Sequence, residues 1–579
     1  MTRYGKYIKP YLPYFILGPL CMIVEVIGEV IMPKLLAVII NAHATGTDSV
    51  GGSLITMLLM ILTALVMMAG GVGGAYFATK ASVNFAADLR EDIYKKIETF
   101  TFSNIDRFST GSLVTRLTND VTQMQNFIAM LLRMALRAPG MMIAGLVMAI
   151  ALRPSLSVVF AVSVPVLLLA ISFIITRGFA RFGRMQSKID GLNATVQENI
   201  TNVRVVKSFV REDFERKKFA DANGALKGAG MSAMRMMIFM SPVMTLVMNA
   251  TTVAVVWLGA AAVLKAGMLP GDLSQFLVYV TQILSSLMMI TFMLMNSSRA
   301  LASSHRIREV LDEKPDFSDE GARYPDLRVT KGDVTFKNVS FRYYKNSEER
   351  VLSSIDFHIP AGQTVGIIGS TGCGKTTLVS LIPRLYEADE GAVLVDGVDV
   401  RDYSLSHLRN GVGVVLQKNT LFSGSIRENL LWGDENASEE EMRAACHAAQ
   451  ADKFIDTFAD GYDTLLEQGG TNLSGGQKQR LCIARALLKR PRILILDDST
   501  SAVDTATEAH IRRAFREELA DATKIIIAQR ISSVKDADMI VVMNDGAVTG
   551  IGTHDELLEN CTEYREIYDS QADMRREEA

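Results

Sequence analysis

The sequence is poor in the features that mark several protein classes. Its five cysteines, Cys21, Cys373, Cys446, Cys482 and Cys561, are scattered over 579 residues without metal-ligand spacing. They read as unpaired thiols in a reducing compartment. The net charge is only −3, too small for a general nucleic-acid footprint, so no nucleic-acid partner is expected. Low-complexity tracts and short-period repeats are missing. No small-residue cleavage site follows the first apolar core, so the N-terminal apolar stretch is expected to stay as a membrane helix.

What the chain does have is apolar length. Hydrophobic residues make up 49% and the mean hydropathy is +0.20, so a lipid bilayer is an expected partner, and 579 residues exceed one ordinary domain. Stretches of about 20 apolar residues, enough to cross a bilayer, fall near 14–40, 54–78, 127–152, 155–176, 237–264 and 273–299. The loop Asn41 to Ser53 holds no Lys or Arg, whereas the long connections 80–120 and 177–235 are rich in both. The positive-inside rule therefore predicts those connections and both chain ends in the cytoplasm. "FAADLREDIYKKIETF" and "VQENITNVRVVKSFVREDFERKKF" are polar but contain few helix breakers, which predicts membrane helices running on as cytoplasmic stalks. After Ala300 the chain turns charged and Pro/Gly-broken, and from Lys331 short β-rich runs alternate with amphipathic helices. The expected fold is an all-α six-helix transmembrane domain over 1–305, a linker over 306–330 and a soluble α/β domain over 331–579. "QTVGIIG", "VGVVLQ", "RILILDD" and "TKIIIAQR" read as its buried parallel strands.

Three motifs carry chemistry. Gly369, Ser370, Thr371, Gly372, Cys373, Gly374, Lys375 and Thr376 fit G-x-x-x-x-G-K-[ST], between the strand "QTVGIIG" and the helix "TTLVSLIPRLY" that contains Thr377. The glycines let backbone N–H groups wrap phosphates, Lys375 reaches toward the β- and γ-phosphates, and the Thr376 hydroxyl suits Mg²⁺. Cys373 inside this loop is either a small filler or a reactive thiol beside the nucleotide. The strand "ILILDD" ends in Asp497, placed to hold Mg²⁺ directly or through water, and Asp498. Leu473, Ser474, Gly475, Gly476 and Gln477 spell LSGGQ at the start of a predicted helix. That is a second phosphate-binding end, or an ordinary Ser-Gly cap. One chain does not need two such ends for one ATP, so the second is expected to face a nucleotide held by another chain.

A phosphate loop, then "VVLQ" with Gln417, then LSGGQ, then an acidic strand followed by "SAVD", resembles the ATP-binding cassette. With six membrane helices in front, nearly the whole chain resembles a half-size ABC exporter of the type I fold. The resemblance implies ATP and Mg²⁺ as ligands and two cassettes closed head to tail. It implies Tyr343, or its neighbour Tyr344, stacking on adenine. It also implies Gln417 as a Q-loop residue sensing Mg²⁺ and water, and a D-loop over Ser501 to Asp504. Coupling helices would fall near 104–112 and 209–216, meeting the surface around "LFSGSIRENL".

This sequence departs from the family pattern at three places. Asp498 stands where the family has a glutamate as general base, and is shorter by one methylene, about 1.5 Å. A misplacement of about 1 Å can cost on the order of a hundredfold in rate. Gln529 in "IIAQR" replaces the family's histidine; it can donate hydrogen bonds but carries no charge. Gln468 replaces a glutamate before the signature. The chain thus resembles the degenerate half of a heterodimeric bacterial exporter, whose partner would supply the consensus Walker B glutamate and switch histidine. A homodimer with two slow sites is the counter-reading, because an aspartate still acts weakly as a base.

Glu25 and Glu29 lie one turn apart inside the first apolar segment. Two readings stand: a cation-attracting wall of the transport path, or a structural pair with Lys34 or a neighbouring helix's basic residue. Arg133 and Arg137, one turn apart near the start of the third segment, are candidate partners or stalk-end charges. Thirty methionines, some in runs such as "MRMMIFM", suit either a pliable cavity for varied apolar ligands or lipid-facing filler. The family-level expectation is efflux of hydrophobic or amphipathic compounds across the cytoplasmic membrane. An ATP-regulated channel and a siderophore-type importer remain the alternatives. No extra domain precedes the first helix, which argues against a peptidase-coupled exporter.

Overall fold

The computed structural model describes residues 4–577 except 48, 266, 345–347 and 499–504. Its contacts divide into two units: Met1–Glu98 with Gly111–Glu313, and Thr99–Thr110 with Lys314–Ala579.

The first unit is helical. Among the described residues six helices are long and apolar enough to cross a membrane: Gly5–Ala44, Val50–Glu98, Thr110–Leu152, Pro154–Thr201, Glu212–Leu264 and Pro270–Asp312. Each contains one of the predicted apolar stretches, and the polar connections do continue as helix. The first span packs on the second, the fourth on the fifth, and the sixth against the third and the first. Small residues set the closest of these approaches. A Cβ at Gly70 would come within 2.9 Å of the Cys21 carbonyl. Leu54, Leu58, Ile61, Leu62 and Leu65 of the second span point outward, as expected of a face turned to lipid.

Pro33 lies inside the first span. It has no N–H to give the carbonyl four residues back, that of Glu29. That carbonyl instead accepts from Gln282 Nε2 of the sixth span at 2.8 Å, and the next, Val30 O, accepts from Tyr279 Oη at 2.9 Å. Farther along the same seam Asn41 receives the Gly271 N–H at 2.8 Å and donates to Asp272 at 2.9 Å. On the stalk side the third span contains a π-turn, Arg116–Asp120. Its buried Asp120 accepts from Arg306 and, at 2.9 Å, from Ser303 Oγ, and Arg116 pairs with Glu309 at 3.0 Å.

The second unit contains two main sheets. Strands β1 (Val334–Phe341), β2 (Leu352–Ile359), β4 (Glu390–Val395) and β5 (Val398–Asp399) form an antiparallel sheet in the order β2-β1-β4-β5. Strands β3 (Thr364–Gly369), β6 (Val412–Val415), β9 (Ile493–Asp497), β10 (Thr523–Ile527), β11 (Met539–Asn544) and β12 (Ala547–Gly552) form a second, in the order β12-β11-β3-β10-β9-β6. It is parallel except at β12. The short pair β7 (Gly424–Ser425) and β8 (Leu465–Leu466) stands apart. β3, β9 and β10 are almost wholly buried, which is why they read as unbroken apolar runs.

Helix Phe102–Phe108 belongs to this unit. Tyr386 Oη donates to Asp106 at 2.9 Å, and the Phe102 ring lies 6.0 Å from that of Tyr386. Two short helices lie at or near the segments expected to be coupling helices. The first helix begins at Phe102 rather than 104, with Thr101 and Asn104 completing a capping box. The second is Val203–Ser208, ahead of the expected 209–216, because the Val210 backbone (φ 52°) breaks the chain and Glu212 starts the next helix.

Candidate nucleotide site and membrane charge cluster

In an open parallel sheet, ligands gather at the carboxyl ends of the strands. β3 ends in the phosphate loop, β6 leads to Gln417, β9 ends at Asp497 and β10 leads to Gln529, and these strands are neighbours in the sheet. The topology therefore brings the sequence-predicted segments together.

Lys375 is buried, and its Nζ donates to Gly369 O at 2.9 Å and Ser370 O at 2.7 Å. The Cys373 thiol is also buried, 3.6 Å from that amine. Gly374 has φ 95°, and a Cβ there would meet Val351 O at 2.9 Å, so only glycine fits. Gly372 likewise has φ 88°, while Thr371 is exposed. Thr376 Oγ1 donates to Asp497 Oδ2 at 2.9 Å. Burial pushes the Asp497 carboxyl above its usual range, the Thr376 bond opposes this, and the neighbouring Asp498 charge pushes it further up. A buried ammonium folded onto its own loop, beside a hydroxyl-carboxylate pair, fits a phosphate-bound divalent cation. Thr376, Asp497 and Gln417 are the residues that would hold Mg²⁺, and the phosphate loop would hold ATP. When bound, the cation neutralises phosphate charge.

The second carboxylate has an unusual backbone. Asp498 lies in the left-handed region (φ 46°), its N–H bonded to Ile527 O at 3.0 Å. Its Oδ2 accepts from Gln529 Nε2 at 3.1 Å. Burial raises its carboxyl, while a hydrogen bond from Gln417 and the charges of Lys375 and Arg530 lower it. Asp498, Gln417 and Gln529 thus converge. Gln571, which no sequence pattern singles out, brackets this segment. Its side chain donates to Gln529 O at 2.8 Å and accepts the Ile531 N–H at 2.9 Å.

Tyr343 is 41% exposed and its hydroxyl shares a hydrogen bond with Thr377 Oγ1 at 2.9 Å. Tyr386 meets it edge-on at 5.2 Å. Tyr344 is 72% exposed. Ser474 caps helix Gly475–Leu488 in a capping box with Gln477, and Leu473 is buried behind it. Among the described residues no hydrogen bond or ion pair joins Leu473–Gln477 to the phosphate loop of the same chain. Asp504 and the rest of the predicted D-loop lie outside the described residues.

In the first unit Arg137 Nη2 reaches Glu29 at 2.7 Å and Glu25 at 3.2 Å. The two carboxylates share one guanidinium from the third span; Arg137, rather than Lys34, is their partner.

The profile of the ABC transporter transmembrane region matches residues 15–287, and that of the ABC transporter family matches 352–501. An uncharacterized ABC transporter ATP-binding protein, YfiB, from Bacillus subtilis (strain 168) is 38% identical over 571 residues, covering 99% of this chain and 98% of its own. This chain is an ABC transporter. An ATP-dependent lipid A-core flippase of Desulfotalea psychrophila (strain LSv54 / DSM 12343) is 33% identical over 492 residues, 84% of each chain. The solved structure of a bacterial Atm1-family ABC exporter with ATP bound superposes with a TM-score of 0.77 at 25% identity, over 98% of both chains. The ABC transporter is therefore a half-size exporter, a six-helix membrane domain fused to one ATPase domain, with the Atm1-like fold. Half-size exporters of this kind work as dimers in the membrane and couple ATP to export.

Proposed function

We propose that this chain carries the slower ATP site of a heterodimeric exporter of hydrophobic or amphipathic compounds. It would work by alternating access across the cytoplasmic membrane, with both termini in the cytoplasm. The observation that carries this reading is the contact between Asp498 and Gln529 at 3.1 Å. The two positions where the family pattern expects a base and an ionisable switch are both substituted, and they touch. A shortened carboxylate held by an amide is poorly placed to take a proton from water, and the amide cannot relay one. LSGGQ is intact, so the chain can complete a partner's site. ATP binding favours the closed cassettes and hydrolysis at the partner's site resets them.

The test is ATPase activity of the chain alone and with its partner. Turnover near background alone, rising with the partner and lost on the partner's Walker B Glu→Gln change, is the expected result. Robust turnover by the chain alone, abolished by Asp498→Asn, overturns it. The second reading, a homodimer with slow hydrolysis, draws support from the hydrogen bond Asp498 keeps with Gln417.

A further inference from the structure

The third and sixth spans line an open cavity of about 380 Å³ in which Arg133 is the only charged residue among those described. Arg137, one turn on, is taken by Glu25 and Glu29. Arg133 is exposed to the cavity and has no ion pair or hydrogen bond among the described residues. Gln123, Asn126 and Asn296 add amides to the same cavity's lining, and Met130 and Phe292 supply an apolar wall. Arg133 stands 19 residues before Leu152, the end of its span. At 1.5 Å per residue that is roughly 28 Å, close to the full hydrocarbon thickness. Arg133 thus lies toward the stalk end of its span's apolar stretch, with Met130 and Phe292 lining the same cavity.

Resting on the export reading above, we infer that this cavity takes an amphipathic anion. Its phosphate or carboxylate head would sit on Arg133, with bidentate hydrogen bonds, and its apolar body would lie against Met130 and Phe292.

The assembled transporter, in phosphatidylcholine nanodiscs, is titrated with dodecyl phosphate, dodecyltrimethylammonium and inorganic phosphate. Dodecyl phosphate is expected to bind at least tenfold more tightly than the other two. Arg133→Ala removes that preference, Arg133→Lys keeps part of it and Arg133→Glu reverses it toward the ammonium. ATP affinity, measured on each sample, reports that the variant is assembled. Competition by phosphatidylglycerol discs that disappears in Arg133→Ala assigns the site to a bilayer lipid head, and no such competition assigns it to a free amphiphile. Equal binding of both dodecyl probes, unchanged in Arg133→Ala, overturns the inference. Arg133-dependent binding without ATP-driven movement of dodecyl phosphate defeats the export reading and leaves the site standing. ATP-driven movement that prefers the ammonium does the reverse.

Discussion

Tyr386 donates its hydroxyl to Asp106 at 2.9 Å while its ring meets Tyr343 at 5.2 Å. One tyrosine thus touches both the helix Phe102–Phe108 and the residue proposed to stack on adenine. Tyr386→Phe removes only the hydroxyl, at a cost of about 1–3 kcal/mol for a bond to a charged acceptor. ATP affinity should stay within about twofold, because the Tyr343 packing survives. A double-mutant cycle with Asp106→Asn should show coupling in the ATPase stimulation; strict additivity would mean the two residues act separately.

Asp396 anchors the start of the α/β unit. Its carboxylate accepts the backbone N–H groups of Thr330, Lys331, Gly332 and Asp333 at 2.7–3.0 Å. Burial alone would raise its pKa, but the four donors together hold it below the usual carboxylate value. A lowered folded pKa means stability that is present above the unfolded value near 4 and lost as pH falls through the folded one. Asp396→Ala should destabilise by about 1–3 kcal/mol at pH 7, and by less near pH 3. Thermal unfolding at the two pH values measures the difference.

Asn429 is buried and fully used. It accepts from Phe422 N at 2.9 Å and Arg485 Nη2 at 3.0 Å, and donates to Phe422 O and Ser425 O at 2.9 and 3.0 Å. Arg485 lies on the helix that LSGGQ begins. Asn429→Ala strands several buried groups and should cost about 2–4 kcal/mol. It should also slow ATPase more than a distant substitution of equal cost; loss of stability with unchanged specific activity would limit Asn429 to folding.

Arg137→Met leaves two half-buried carboxylates side by side without their cation in the membrane domain, a change worth up to about 3–5 kcal/mol. Expression or folded yield should collapse. Adding Glu25→Gln and Glu29→Gln should restore it, because the charge to be compensated has gone. Failure of that rescue would assign Arg137 another duty.

The strands and nucleotide motifs were legible because buried parallel strands are continuous apolar runs and phosphate loops need glycine at fixed places. The stalks were legible because long polar sequence with few breakers favours continued helix. The bounds of the short helices Phe102–Phe108 and Val203–Ser208 were not legible. Their ends depend on a capping box at Thr101 and on the Val210 backbone, which carry little signal in composition. Arg133 and Arg137 looked equivalent, since one turn separates them; only packing against the first span distinguishes the paired residue from the free one. The hold of Gln571 on the Gln529 segment spans 42 residues of sequence and has no local pattern.

Pro33 has a mechanical consequence. The carbonyl it frees is satisfied only while Gln282 stays beside it, and in lipid an unsatisfied backbone group costs several kcal/mol. The first and sixth spans are therefore clasped by main-chain need as well as by side-chain fit. Parting this seam must supply the Glu29 carbonyl with another donor, so it costs more than the side-chain packing alone.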